Sequence, residues 1–144
     1  MPDILTPGPF GTTIKYKDMG DGTHARADQL PASTANTSWS YAAAAGGIVN
    51  TTGVTIKAAS GAGNRNYVSS LQLANSGAAG TDVQIRDGAA GTVLWRGYVP
   101  AGANGECHNF TPPLKGTANT LLEVGLSSGT TVAVYVNVQG YVGV

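Results

Sequence analysis

From Gly53 onward, hydrophobic and polar positions alternate in short runs, and the alternation predicts a series of β-strands. Val54, Ile56 and Ala58 alternate with Thr55 and Lys57. Across Tyr67–Asn75, Leu71 and Leu73 fall on one face, and Ser70, Gln72 and Ala74 on the other. The sharpest signal is a pair of runs, Thr81–Arg86 and Thr92–Val99, joined by Asp87-Gly88-Ala89-Ala90-Gly91. Val83 and Ile85 alternate with Gln84 and Arg86. In the second run Val93, Trp95 and Val99 share one parity, and Leu94, Arg96 and Tyr98 the other. Asp-Gly between two such runs predicts a hairpin, because Gly88 supplies a positive φ and Asp87 can bond its own backbone. Glu106–Phe110 reads as a short strand ended by Pro112-Pro113, since proline cannot donate to a ladder. Leu121–Leu126 and Thr131–Gln139 read as a further hairpin about Ser127-Ser128-Gly129-Thr130. In its second arm Val132, Val134, Val136 and Val138 share a buried face, with Tyr135, Asn137 and Gln139 pointing the other way.

About seven or eight strands at spacings of roughly 10–15 residues, with no convincing helix, predict an all-β fold. The expectation is an antiparallel β-sandwich of jelly-roll type over residues 39–144. An immunoglobulin-like sandwich is the alternative, but its Cys…Trp…Cys arrangement is missing. Residues 1–38 differ: Pro2, Pro7, Gly8, Pro9 and Gly11 break structure early, and large apolar residues are too few for a separate core. An extended N-terminal arm is expected, with short strands at Thr12–Lys17 and His24–Leu30 around a turn at Lys17–Thr23. Fully extended, such an arm reaches ~120 Å, and it either hangs free or lies on a partner. Trp39 and Tyr41 begin the packed domain, where Gly46-Gly47 turns a helical propensity at Tyr41–Ala45 into an edge strand or an irregular segment.

Composition narrows the function more than the fold. A chain of 144 residues is long enough to bury a core without metal or disulfide. Charged residues make up 11%, and the formal net charge is zero. That argues against a phosphate-tracking nucleic-acid binder, which needs a basic excess to release counterions, and against an anionic membrane surface. A surface of Gly, Ala, Ser, Thr and Asn suits permanent subunit contact, because little charge has to be desolvated. Cys107 is the single cysteine, so no internal disulfide is expected. Met1–Phe10 has no basic start and no long apolar run, so the expectation is folding in a reducing cytoplasm.

Candidate chemistry is thin. Cys107-His108 lacks the further ligands of a zinc site, and strand neighbours face opposite ways, so the pair reads as a buried thiol beside an exposed imidazole. Asp18-Met19-Gly20-Asp21-Gly22 departs from a calcium loop and reads as a turn. Gly61-Ala62-Gly63 has no helix start to complete a phosphate site. Asp82 and Asp87 read as solvated carboxylates, and Glu123 as facing solvent or a neighbouring subunit, which leaves no facing acid pair. The expectation is a non-enzyme with no catalytic residue, metal or cofactor. Trp95, Arg96, Tyr98 and Tyr135 are candidates for a subunit interface or for a glycan-binding face, whose aromatic platform would also include Tyr67.

The segment Lys15–Ala25, with its K-D-M-G-D-G-T core, resembles a segment near the start of many tailed-bacteriophage virion proteins. Val83–Gly97 and Val134–Tyr141 are similar to small phage head proteins of the decoration, or cement, type. The resemblance implies a jelly-roll-like domain, usually a homotrimer, on the outer capsid surface, clamping neighbouring major capsid subunits after assembly in the host cytoplasm. It implies capsid or subunit contact through the arm, for which Ile4, Phe10, Ile14, Tyr16, Asp18, Met19 and Asp21 are the candidates. Partners would then be the major capsid protein and copies of the chain, with no nucleic acid and no membrane. A head-fibre or tail-associated module that binds host glycans near Trp95 and Tyr98 is the alternative.

Overall fold

A computed structural model describes residues 37–129 and 133–144, and before them the backbone of three strands at 4–7, 13–18 and 24–26. By its internal contacts the chain divides into two compact units, Met1–Ala35 and Asn36–Val144. In the first, β1 (Ile4–Pro7), β2 (Thr13–Asp18) and β3 (His24–Arg26) form an antiparallel sheet in the order β1-β2-β3. Ile4 stands opposite Tyr16, Thr6 opposite Ile14, and Asp18 opposite His24. The alternation at Thr12–Lys17 and the start of the run at His24 are therefore strands, and β1 is one that the early prolines hid. Phe10, Met19 and Asp21 lie outside the described residues.

The second unit is built from eight strands. They are β4 (Thr37–Ala42), β5 (Val54–Lys57), β6 (Arg65–Asn75), β7 (Thr81–Asp87), β8 (Thr92–Val99), β9 (Glu106–Lys115), β10 (Leu122–Leu126) and β11 (Val134–Gly143). They form two antiparallel four-stranded sheets, β4-β11-β6-β9 and β5-β10-β7-β8. Among the described residues all regular structure is β, and no helix is long and apolar enough to cross a membrane. The core is what the alternation predicts. Leu71, Leu73, Val136 and Val138 from the first sheet meet Val83, Ile85, Val124 and Leu126 from the second, and all are buried. Each such side chain removed from water contributes roughly 1.5–3 kcal/mol, so a one-residue slip of either inner strand would turn its whole apolar set outward.

Four local expectations are corrected. In the central hairpin Ile85 pairs with Trp95 but Arg86 pairs with Val93, so Leu94 is an extra, bulged residue. The bulge turns Leu94 onto the core and leaves Val93 exposed, the reverse of a simple alternation. Second, β10 and β11 are not a hairpin: β10 lies between β5 and β7, and β11 between β4 and β6, so their connection crosses between sheets. Third, β9 runs through Pro112-Pro113 instead of ending there. Val68 pairs with Leu114 and Ser70 with Asn109, so the prolines fall in a break in the ladder, on an edge strand, where no donor is needed. Fourth, β11 extends past Gln139 to Gly143, while Val132 lies outside the described residues.

The hairpin turn itself matches: β7 and β8 pair antiparallel, and Gly88 has φ 94°. Asp87, however, holds the neighbouring loop, accepting from the Thr117 N–H at 2.9 Å. Its other carboxylate oxygen is buried, so it is not the solvated group expected. Two buried asparagines tie the loops at opposite ends of β6. Asn66 Nδ2 donates to the carbonyls of Ala58 and Thr120, both at 3.0 Å. Asn75 Nδ2 donates to Ala79 at 2.9 Å, and Asn75 Oδ1 accepts from the Gly77 N–H.

Candidate functional site

Trp95, Arg96, Tyr98 and Tyr135, singled out in the sequence, do not converge. Trp95 points inward from β8, its indole lying against Gly97, with His108 at 5.0 Å and Phe110 at 6.1 Å between ring centroids. Those rings come from β9, so Trp95 closes the flank between the edge strands of the two sheets. Arg96 and Tyr98 stand on the outer face of β5-β10-β7-β8, where Tyr98 is 63% exposed. Tyr135 stands on the outer face of the other sheet, opposite Ala74. Of the arm candidates, Ile4, Ile14, Tyr16 and Asp18 sit on β1 and β2 of the first unit.

The sequence expectations for Cys107, His108 and Glu123 are overturned. The two neighbours on β9 do face opposite ways, but the imidazole is the inward one, against Trp95, and the thiol is exposed. Glu123 is only 6% exposed although it points away from the core. Its Oε1 accepts from Arg86 Nη1 at 3.2 Å and from the Ala90 N–H at 3.3 Å. Arg86 Nε donates to Gln84 Oε1 at 3.0 Å. The group sits low on the sheet because two neighbours are glycines. A Cβ on Gly125 would lie 2.5 Å from the Arg86 guanidinium, and one on Gly53 1.9 Å from the Glu123 carboxylate. The two charges are thus paired with each other and held by Gln84 and the Ala90 N–H, and the group reads as a structural clamp. Among the described residues no three His, Cys, Asp or Glu side chains gather as a metal site.

The outer face of β4-β11-β6-β9 has a different character. Two grooves cross it, of about 590 Å³ and 290 Å³. The larger runs along β4 and β11, past Ser38, Ser40, Gln139 and Tyr141, and the smaller continues across β6 to β9, past Gln72, Asn109 and Asn137. Gln139 lines both. Register explains the grouping: Gln139 stands opposite Ser40 on one side and Ser70 on the other, and Tyr141 opposite Ser38 and Tyr67. The Tyr67 and Tyr141 rings stack at 4.8 Å with an interplanar angle of 9°. Gly140 lies between Gln139 and Tyr141 on β11, and a Cβ there would meet the Tyr67 carbonyl at 2.0 Å and the Trp39 indole at 2.5 Å. Only glycine lets the floor of the larger groove come this close to both neighbours.

No family model matches the chain, and no curated protein matches it.

The site therefore stands on its own geometry. Part of it was visible in the sequence, because Tyr135, Asn137 and Gln139 are the outward members of a run whose inward members are all valine. Ser38, Ser40 and Tyr141 were missed as members, and Tyr67 was grouped with Trp95 and Tyr98, which belong to the other sheet. What brings them together is strand order, with β4 and β6 on either side of β11, and no spacing along the chain signals that order.

Proposed function

We propose that the chain is a non-enzymatic structural protein of a tailed-phage virion, a decoration or cement protein. It trimerises on the outer head surface and stabilises contacts between major capsid subunits. The observation that carries this reading is the division into a β-sandwich and a distinct small β unit that contains the segment resembling virion proteins. A sandwich with little surface charge suits packing about a symmetry axis, since few ions have to be desolvated. A second small unit suits attachment to another surface. β2 and β3, which the Lys17–Thr23 segment joins, pair at Asp18 and His24.

The same reading takes the sandwich as a jelly roll. Lettering its eight strands B to I in chain order gives sheets B-I-D-G and C-H-E-F, the interlocked order of two Greek keys. Strand order supports the assignment, and six of the seven connections between consecutive strands cross from one sheet to the other, the β7–β8 hairpin being the exception.

The test is the number of copies per purified particle, relative to the major capsid protein. A ratio near one, or a simple fraction of it, is expected. A handful of copies per particle would move the protein to the tail or to a single vertex and overturn the decoration role. A chain lacking residues 1–35 should remain a folded trimer by sedimentation yet fail to bind undecorated heads. Binding by that truncated chain would remove the attachment role of the first unit.

A further inference from the structure

We propose that the outer face of β4-β11-β6-β9 is a binding site for a neutral glycan, seated across the two grooves that meet at Gln139. The proposal does not depend on the decoration role, and it moves glycan recognition away from Trp95 and Tyr98 to the opposite sheet.

The argument starts from charge. Neither groove is lined by an ionised side chain. Arg65 and Lys115 belong to the Tyr67 end of the sheet, outside both linings, and Arg65 is already bonded to the Gly116 carbonyl at 3.2 Å. A phosphate, sulfate or carboxylate entering here would shed water and find no counter-charge, which is unfavourable. A sugar hydroxyl both donates and accepts, and so do the groups that line the grooves: serine hydroxyls and the amides of Gln139, Asn137 and Asn109. Among the described residues the side chains of Ser40, Asn137 and Gln139 have no hydrogen-bonded protein partner, so their polar atoms are free to bond a ligand.

Shape and the aromatic wall complete the case. The larger groove has the size of a small-molecule site, a class that spans about 300–1,000 Å³. Tyr67 covers the β6 side of the Tyr141 ring, so the other ring face looks over β4, where Ser38 and Ser40 are small enough to leave the groove open. The C–H face of a pyranose is apolar and slightly electropositive, which suits the electron-rich face of a tyrosine ring. The stack on Tyr67 fixes that ring in advance, so little side-chain entropy is lost when a sugar docks. From Tyr141 to Asn137 the strand covers roughly 13 Å, which suits a disaccharide or longer chain better than a single sugar.

The experiment is a titration of the full-length protein with maltohexaose, cellohexaose, mannohexaose and chitohexaose, followed by amide chemical shifts and calorimetry. Sialyllactose and a heparin oligosaccharide serve as charged comparators. At least one neutral hexasaccharide should bind, moving the amides of 38–40 and 137–141. Gln139→Ala and Tyr141→Ala should each weaken that binding by about tenfold or more, while Tyr98→Ala on the other sheet leaves it unchanged. If Tyr141→Ala does not fold, Ser40→Trp tests the same groove by filling it. No binding to any of the four, binding to the charged comparators alone, or binding that survives both Gln139→Ala and Ser40→Trp would overturn the proposal. So would shifts at these residues that follow protein concentration without sugar, since the occupant would then be a second copy of the chain.

Discussion

Arg86 and Glu123 face each other across neighbouring strands, 3.2 Å apart, on the side of the sheet that points away from the core. Their side chains are nevertheless only 17% and 8% exposed. A pair so placed is weak as a source of stability, but breaking it leaves an uncompensated charge in a poorly solvated site. Arg86→Ala strands the Glu123 carboxylate with only the Ala90 N–H, and should cost about 2–4 kcal/mol. Glu123→Gln keeps an oxygen for Arg86 and Ala90, and should cost about 1–2 kcal/mol. Replacing both residues by Met and Leu should recover part of the loss, because no charge is then left unpaired. Urea unfolding of the variants checks the order. Equal losses for Arg86→Ala and Glu123→Gln would show that the pair is solvated in solution.

Asn66 gives a second prediction. It is fully buried, and its side chain ties two loops together, through Ala58 and the Ser60 hydroxyl on one and Thr120 on the other. Asn66→Ala leaves two carbonyls without their donor and should cost about 2–4 kcal/mol. Asn66→Asp should be worse at neutral pH, because a carboxylate would face the same two carbonyl oxygens. Thermal unfolding at matched concentration measures both, with the alanine variant melting several degrees below the parent and the aspartate variant lower still.

The alternation of Val134, Val136 and Val138 made β11 legible, and the Asp87-Gly88 turn made the β7–β8 hairpin legible, because both rest on local rules. The bulge at Leu94 was not legible: a period of two carries parity straight through an inserted residue, and only the partner strand reveals the insertion. The short polar link after Leu126 looked like a hairpin for a related reason. Both β10 and β11 bury an apolar face and pair on both edges, so each needs flanking strands that a tight hairpin alone would not supply. Cys107 and His108 show the limit of hydrophobic ranking. Parity placed them on opposite faces, but the aromatic pocket offered by Trp95 and Phe110 on the inner side takes the imidazole and leaves the thiol outside. At the candidate site, the outward amides of β11 were readable, whereas the tyrosine stack exists only because β6 and β11 are neighbours.

Trp95 and Tyr98 lie three residues apart on one strand, and the structure gives them opposite roles. Trp95 fills the flank between β8 and β9, resting on Gly97 and touching two rings of the other sheet. Trp95→Ala should open a void there and cost about 2–4 kcal/mol, below the full value for a wholly buried tryptophan because the ring is part-exposed. Tyr98 stands on the outer face, 63% exposed, with its hydroxyl near Gly80. Tyr98→Ala should change stability by no more than about 0.5 kcal/mol. Chemical denaturation separates the two, and intrinsic fluorescence gives an independent check: in a Trp39→Phe background the emission of Trp95 should be blue-shifted in the folded protein and shift red as the sandwich opens. A Trp95→Ala variant as stable as the parent would mean that the flank is closed by His108 and Phe110 alone.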